Sequence, residues 1–405
     1  MTTSSVWMLG GYQTDFARNL HREGLDFADL TAEAVTQTCA AAGVPASEIG
    51  VVHIGNAFGQ LFTGQGHLGA MPATVCPDLW GVPATRHEAA CASGGTAVLA
   101  AMADLRAGNY DVALVLGVEL EKTVSGDQAA AYLGAAAWVG HEGQDATYMW
   151  PYMFAEMAEE YDRRYGIDDK HLRRIAEVNF GNARLNPNAQ TRDWTNLVFE
   201  ADDTANPIVE GRLRRTDCSQ ITDGAAGVIL VSDRYRREHP DVTPWTEITG
   251  WGHASAGLSL TSKFEASRDD EYVLPHLRQT ITDALGRARV DLDDLDGVEV
   301  HDCFSMSEYL VIDHLGLTAP GQSWEAIETG TIERDGRLPI NPSGGLIGGG
   351  HPVGASGVRM LLDAASQVSG RAGDLQVDGA TTFGTVNFGG STATCVALVC
   401  TTVDD

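Results

Sequence analysis

The chain has 405 residues, 43% of them apolar and 20% charged, and its 55 acidic and 27 basic side chains leave a formal net charge of −28. That length can bury a large core in two or three domains, and the composition is that of an ordinary folded chain. Binding to a phosphate backbone or an anionic membrane needs clustered Lys and Arg, so the acidity argues against both, and no apolar run reaches the roughly 18–20 residues of a membrane helix.

In chain order, the start MTTSSVWMLGG lacks the basic and apolar regions of a secretory signal, which makes the cytoplasm the expected compartment. Residues 25–43 read as a helix ending at Gly43, and "IGVVHIGNAF" (49–58) as a strand with the loop after it. "CASGGTAVLAAMADLRAG" (91–108) opens with small residues, then places Val98, Met102 and Leu105 on one helical face and stops at Gly108. "DVALVLGVEL" (111–120) is continuously apolar and β-branched, as a strand covered on both faces should be. Residues 121–215 differ, being rich in aromatic and polar groups, with helical patterns around 153–165 and 170–185 that break at Asn-Pro. "DGAAGVILVSD" (223–233) is again a buried strand, followed by a helix at about 271–288 and a strand running to 301.

The chain also parallels itself. "SEIGVVHIGNAF" (47–58) matches "LDDLDGVEVHDCF" (292–304) as an acidic turn, a strand and a polar end. Cys91 introduces a Gly-rich turn and a helix, and "NPSGGLIGGGHPVGASGVRMLLDAASQVSG" (341–370) does the same in the second half. The expected architecture is therefore α/β with two similar halves. Residues 1–120 plus 216–245 form the first half, 121–215 an inserted loop-rich domain, and 246–405 the second half.

Several side chains are placed for chemistry. Cys91 in "RHEAACASGG" precedes a helix, where the dipole and free backbone N–H groups should lower its pKa and favour the thiolate. His351 sits among glycines in "GGLIGGGHPVGASG". No G-x-x-x-x-G-K-[ST] is present, so this loop reads as presenting an acid/base or thiolate partner and not as a phosphate loop. In "VEVHDCFSMSEYL" (298–310), strand alternation puts His301 and Cys303 on one face and Asp302, a structural hydrogen bonder, on the other. That alternation also makes His301, Asp302 and Cys303 a poor zinc set, and no metal is expected. The seven cysteines are scattered and odd in number, with no C-x-x-C pair, and Cys395 and Cys400 in "CVALVC" read as core.

The ordered set "HEAACASGGTA", "HDCF", "GGGHPVGASG" and "NFGG" (387–390) resembles the thiolase superfamily over the whole chain, and within it the sterol-carrier-protein-type and archaeal-type thiolases. "GYQTDFAR", "NARLNPNAQ" and "DCSQITDGAAGVIL" add to the likeness. The resemblance implies a five-layer αβαβα fold and an acyl-CoA C-acyltransferase that makes or cleaves a 3-ketoacyl-CoA. It gives Cys91 as the nucleophile that becomes acylated and His351 as its activator, which also polarises the bound thioester oxygen. His301 stands where many thiolases carry the Asn of N-E-A-F and would bind the oxyanion or enolate of the second acyl-CoA.

At the position of the usual C-terminal C-x-G cysteine this chain has Asn387-Phe388-Gly389, and Cys303 of H-D-C-F takes over as second acid/base. Asn387 and Gly389 fall in the oxyanion region, with Gly389 and the Cys91 N–H as the donors. Arg212, Arg214 and Arg215 ("GRLRR") are candidates for the coenzyme A phosphates. Coenzyme A or its acyl ester is expected as substrate, with no permanently bound cofactor. A homodimer or tetramer is expected, and an OB-fold zinc-ribbon partner protein is open. The alternatives are a CoA-ester retro-aldolase and a partner-dependent thiolase-like subunit of an acyltransferase complex. The acyl chain and the direction of reaction stay open at this point.

Overall fold

The computed structural model describes residues 5–403; Met1–Ser4 and Asp404–Asp405, the outer ends of the expected segments 1–120 and 246–405, lie outside them, as does part of the segment MTTSSVWMLGG. Eleven strands run in chain order as β1 (Val6–Gln13), β2 (Val51–Gly55), β3 (Ala84–His87), β4 (Val112–Glu119), β5 (Ile208–Glu210), β6 (Leu213–Arg214), β7 (Gly224–Ser232), β8 (Thr246–Ser255), β9 (Gly297–Val300), β10 (Thr382–Gly389) and β11 (Thr394–Thr401). Apart from the small β5–β6 hairpin they lie in the order β3-β2-β4-β7-β1-β8-β11-β10-β9.

This order contains the internal parallel seen in the sequence. In the first half β3, β2 and β4 are parallel, and β7 and β1 follow antiparallel. In the second half Ile340 bridges β9 in parallel, β9 is parallel to β10, and β11 and β8 follow antiparallel. Within the sheet, among the described residues, the halves join where Trp7 and Met8 of β1 pair with Glu247 and Thr246 of β8.

Helix Phe27–Ala42 packs outside the first sheet on β1 and β7, and helix Pro275–Ala288 outside the second on β8 and β11. Helices Ser93–Ala107 and Ser356–Val368 lie between the two sheets and against each other, which gives five layers, αβαβα. The apolar runs follow from this stacking. Along β4, Ala113 and Val115 enter the middle core while Val112, Leu114 and Leu116 enter the outer one. β7 divides likewise, with Ala226, Val228 and Leu230 facing the middle and Ile229 and Val231 the outside.

Between β4 and β7 the chain forms helices Gly126–Leu133, Met149–Tyr165 and Asp169–Ala183. The last two pack on helix Ser305–His314 of the second half. That helix continues directly from the "HDCF" segment, and all ten of its residues are buried.

Candidate active site

The two middle helices begin at the same place. A Cβ on Gly94 would come within 2.9 Å of the Gly354 oxygen, and one on Gly354 within 2.7 Å of the Asn56 Cα. Only glycine permits this approach, and it brings the loops ahead of both helices together.

The first loop carries Cys91 on a tight turn. Ala90 has φ +49°, a left-handed conformation that non-glycine residues seldom adopt. The turn is laced by Ser93, whose hydroxyl donates to the Ala90 oxygen (2.6 Å) and accepts from the Ala89 N–H (2.9 Å). The second loop carries His351, with its N–H donating to Thr222 Oγ1 at 2.9 Å.

His301 and Cys303 follow β9. Asp302 between them faces away, accepting from the Leu346 N–H (2.6 Å), the Ile347 N–H (3.2 Å) and Asn179 Nδ2 (2.8 Å). It thereby ties the end of β9 to the glycine loop that presents His351. The convergence is tight: the Cys91 sulfur and a nitrogen of each of His301 and His351 lie within 4.8 Å of one another. The two imidazoles meet edge to face with centroids 5.1 Å apart. Cys91, Cys303 and His351 share one cavity of about 570 Å³.

Comparison with known proteins fits this geometry. Residues 6–234 match the family model "Thiolase, N-terminal domain", and residues 259–402 match "Thiolase C-terminal domain-like". An acetyl-CoA acetyltransferase of Methanothermobacter thermautotrophicus is 33% identical over 97% of this chain and 98% of its own. The chain belongs to the thiolase family and is a thiolase-type acyltransferase.

Human sterol carrier protein 2 is 28% identical over 94% of this thiolase and 69% of its own length. Two solved structures share the fold. "Ltp2-ChsH2(DUF35) aldolase" has a TM-score of 0.75 at 21% identity, covering 98% of both chains. Human mitochondrial 3-ketoacyl-CoA thiolase in complex with CoA has 0.71 at 17%, covering 99% of both.

Hydrogen bonding fixes the two histidines of this thiolase in opposite tautomers. With its one proton given to the Pro352 oxygen (3.0 Å), Ser356 Oγ accepts from His351 Nδ1, 2.7 Å away. His351 Nε2 is then the basic nitrogen, buried and without a partner, left for Cys91. Asn387 Nδ2 donates to the Cys91 oxygen (3.1 Å), which fixes its amide orientation. The same nitrogen lies 3.1 Å from His301 Nδ1 and must donate to it, so the proton of His301 sits on Nε2. One imidazole can therefore accept a proton while the other offers one. Burial keeps both neutral, pushing His351 down to about 3 and His301 well below its ordinary value.

The thiolate expected for Cys91 is not the resting state. The N–H groups of Gly390, in the turn after β10, and of Cys91 itself do favour the anion. Burial and the nearby Glu121 and Glu119 outweigh them and push the thiol up to about 12. Cys303 is likewise held well above its ordinary value by burial, with Ser307 Oγ at 3.5 Å. Both cysteines are thereby held toward the thiol form, beside a neutral imidazole that could serve as a base.

Other expected residues fare differently. Asn387 sits at the centre of the site, holding Cys91 and His301. Gly389 lies where a Cβ would overlap the Ala89 oxygen and come within 3.0 Å of the Ala92 nitrogen, yet the N–H turned to the sulfur is that of Gly390. Arg212 is not free for phosphate: it pairs with Glu159 (3.1 Å), Asp162 (2.9 Å) and Asp169 (3.3 Å). Arg214 is held by Asp203 (2.9 Å) and the Asn206 oxygen (2.8 Å). Only Arg215 of the three is exposed and lines the cavity that holds Cys91.

Sequence reasoning missed Ser356, Gly390 and Glu121. Of these only Glu121 carried a signal, as an acid directly after a continuously apolar strand. No helix among the described residues is long and apolar enough to cross a membrane.

Proposed function

We propose that this thiolase makes or cleaves a 3-ketoacyl-CoA through an acyl-enzyme on Cys91. The observation that carries the reading is the convergence of the Cys91 sulfur with one ring nitrogen each of His351 and His301, within 4.8 Å of one another.

In cleavage, His351 Nε2 takes the Cys91 proton as the sulfur attacks the 3-keto carbon. The bond between the second and third carbons then breaks. The electron pair passes into an enolate on the departing acyl-CoA, whose oxygen accepts from His301 Nε2–H, and Cys303 gives that enolate its proton. Free coenzyme A next gives its thiol proton to the Cys303 thiolate and attacks the acyl group. The Cys91–acyl bond breaks, and His351 returns the proton to Cys91. Synthesis is the reverse sequence. Two cysteines resting as thiols suit the cleavage direction, because one must supply a proton to carbon. Arg215, at the exposed end of the cavity, is the candidate contact for coenzyme A phosphates; acyl-CoA is the substrate and no permanently bound cofactor takes part.

The likeness to the structure named as an aldolase with a DUF35 protein supports a second reading, retro-aldol cleavage of a CoA ester with a partner protein present. A nucleophilic cysteine beside a basic histidine favours the thiolase reaction over it. Product analysis separates the two. Cleavage that consumes free coenzyme A and yields two acyl-CoA products supports the first. Release of an aldehyde or ketone without coenzyme A supports the second. Activity that needs an added OB-fold zinc-ribbon protein makes the chain a partner-dependent subunit. The homodimer or tetramer, the cytoplasmic location and the three-segment division at 121 and 216 remain part of this proposal.

A further inference from the structure

Glu121 lies two residues past the end of β4, only 1% exposed, in the wall of the cavity that holds Cys91, Cys303 and His351. The Val353 N–H donates to its Oε1 at 2.9 Å, and the Thr222 N–H also reaches the carboxyl. Among the described residues it forms no ion pair. Glu119 is a near neighbour on the same chain segment, and Asp223 adds a third acidic group. Glu119 has its own backbone donors, from Ala57 (2.9 Å), Phe58 (3.1 Å) and Gly354 (3.0 Å), together with Asn56 Nδ2 at 2.7 Å.

Two buried carboxyls this close cannot both ionise cheaply. Burial and Glu119 raise Glu121 well above the usual carboxylate range, which favours its neutral form. A neutral carboxyl has an O–H to donate. None of its hydrogen bonds within the described residues supplies an acceptor for that proton, since both contacts are N–H groups donating to it. The buried lining of the cavity includes Phe58, Phe154, Phe304 and Val353. Ser219, Gln220 and Tyr148 are half-buried in the same cavity, and Asp127 and Arg215 are exposed. Cys91 packs against the apolar cluster that contains Val353, whose N–H donates to Glu121. An acyl chain attached to the Cys91 sulfur therefore enters the cavity that Glu121 lines.

We propose that Glu121 is a specificity-determining residue that donates a hydrogen bond to an oxygen substituent near the thioester of the acyl chain. The preferred acyl group is then hydroxylated or oxidised close to its thioester, and not a plain hydrocarbon. The inference rests on the acyl-enzyme reading. A site built around a polar partner rejects the analogue lacking it, because the buried group is then left unpaired.

The test is single-turnover acylation of Cys91, followed by intact mass, with hexanoyl-CoA and its α-, β- and γ-hydroxy analogues. The wild type should acylate faster with one hydroxylated ester than with hexanoyl-CoA, by about tenfold or more. Glu121→Met should reduce that ratio at least about tenfold, while Glu121→Gln, which still donates, keeps most of it. Thermal unfolding of both variants checks that they are folded. The ratio cancels any general effect of the substitution on Cys91 reactivity. A wild-type ratio below about threefold for every hydroxylated ester, or a preference that survives in Glu121→Met, overturns the proposal. No acylation by any ester overturns the acyl-enzyme reading instead.

Discussion

Gly389→Ala is a small substitution that should strike the centre of the site. The added Cβ would overlap the Ala89 oxygen and crowd the Ala92 nitrogen at 3.0 Å. Both atoms belong to the turn that presents Cys91, and neither is a flexible side-chain end that could swing away. Normal contact requires the turn to retreat on the order of 1 Å. The turn is already pinned by Ser93 and strained at Ala90, so the sulfur moves with it. A displacement of that size costs about a hundredfold in rate, equivalent to about 2.7 kcal/mol, and the overpacking about 1–3 kcal/mol of stability. The assay is the single-turnover rate of Cys91 acylation by acyl-CoA, with thermal unfolding alongside. A variant within about threefold of wild type and with unchanged unfolding would refute the close-approach argument.

Three further outcomes are expected. Cys91 rests as a thiol pushed up to about 12, so alkylation by iodoacetamide should keep rising with pH to about pH 10. His351, held down to about 3, stays a neutral base, and acylation by acyl-CoA should be flat from about pH 6 to pH 9; an alkylation plateau by about pH 7 would instead reveal a preformed thiolate–imidazolium pair. Ser356→Ala frees the tautomer of His351 and should slow acylation on the order of tenfold without moving Tm by more than a few degrees; an unchanged rate would detach the serine from catalysis. Arg215→Ala should raise KM for acyl-CoA severalfold, whereas Arg212→Ala should leave KM alone and cost up to about 1 kcal/mol of stability; the reverse pattern would restore Arg212 as the phosphate ligand.

The parts of the fold that were legible are those in which one local pattern decides the outcome. β4 is apolar up to Glu119 and β7 up to Ser232 because both their faces are covered. Gly94 and Gly95 in the first turn of helix Ser93–Ala107, and Gly354 ahead of Ser356, stand where two backbones must touch. Helix Ser305–His314 escaped because it is buried on every side, including Glu308 and Asp313, and shows no apolar stripe.

At the site, residue types at Cys91, His351, His301 and Cys303 could be read in order, but the electrostatics could not. The Cys91 pKa is decided by burial and by Glu121 and Glu119, and the tautomers by Ser356 and Asn387. Arg212 looked available because its partners Glu159, Asp162 and Asp169 stand more than forty residues upstream. Each of these depends on contacts that folding creates between distant segments.

The most direct test of the account is the mass of the protein after exposure to acyl-CoA alone and then to a second acyl-CoA. The account predicts one acyl group on Cys91 in the wild type, none on Cys91→Ala, and one on Cys303→Ala that is never carried forward to a 3-ketoacyl-CoA. Loss of the acyl-enzyme in Cys303→Ala, or its persistence in Cys91→Ala, would contradict the division of labour between the two cysteines.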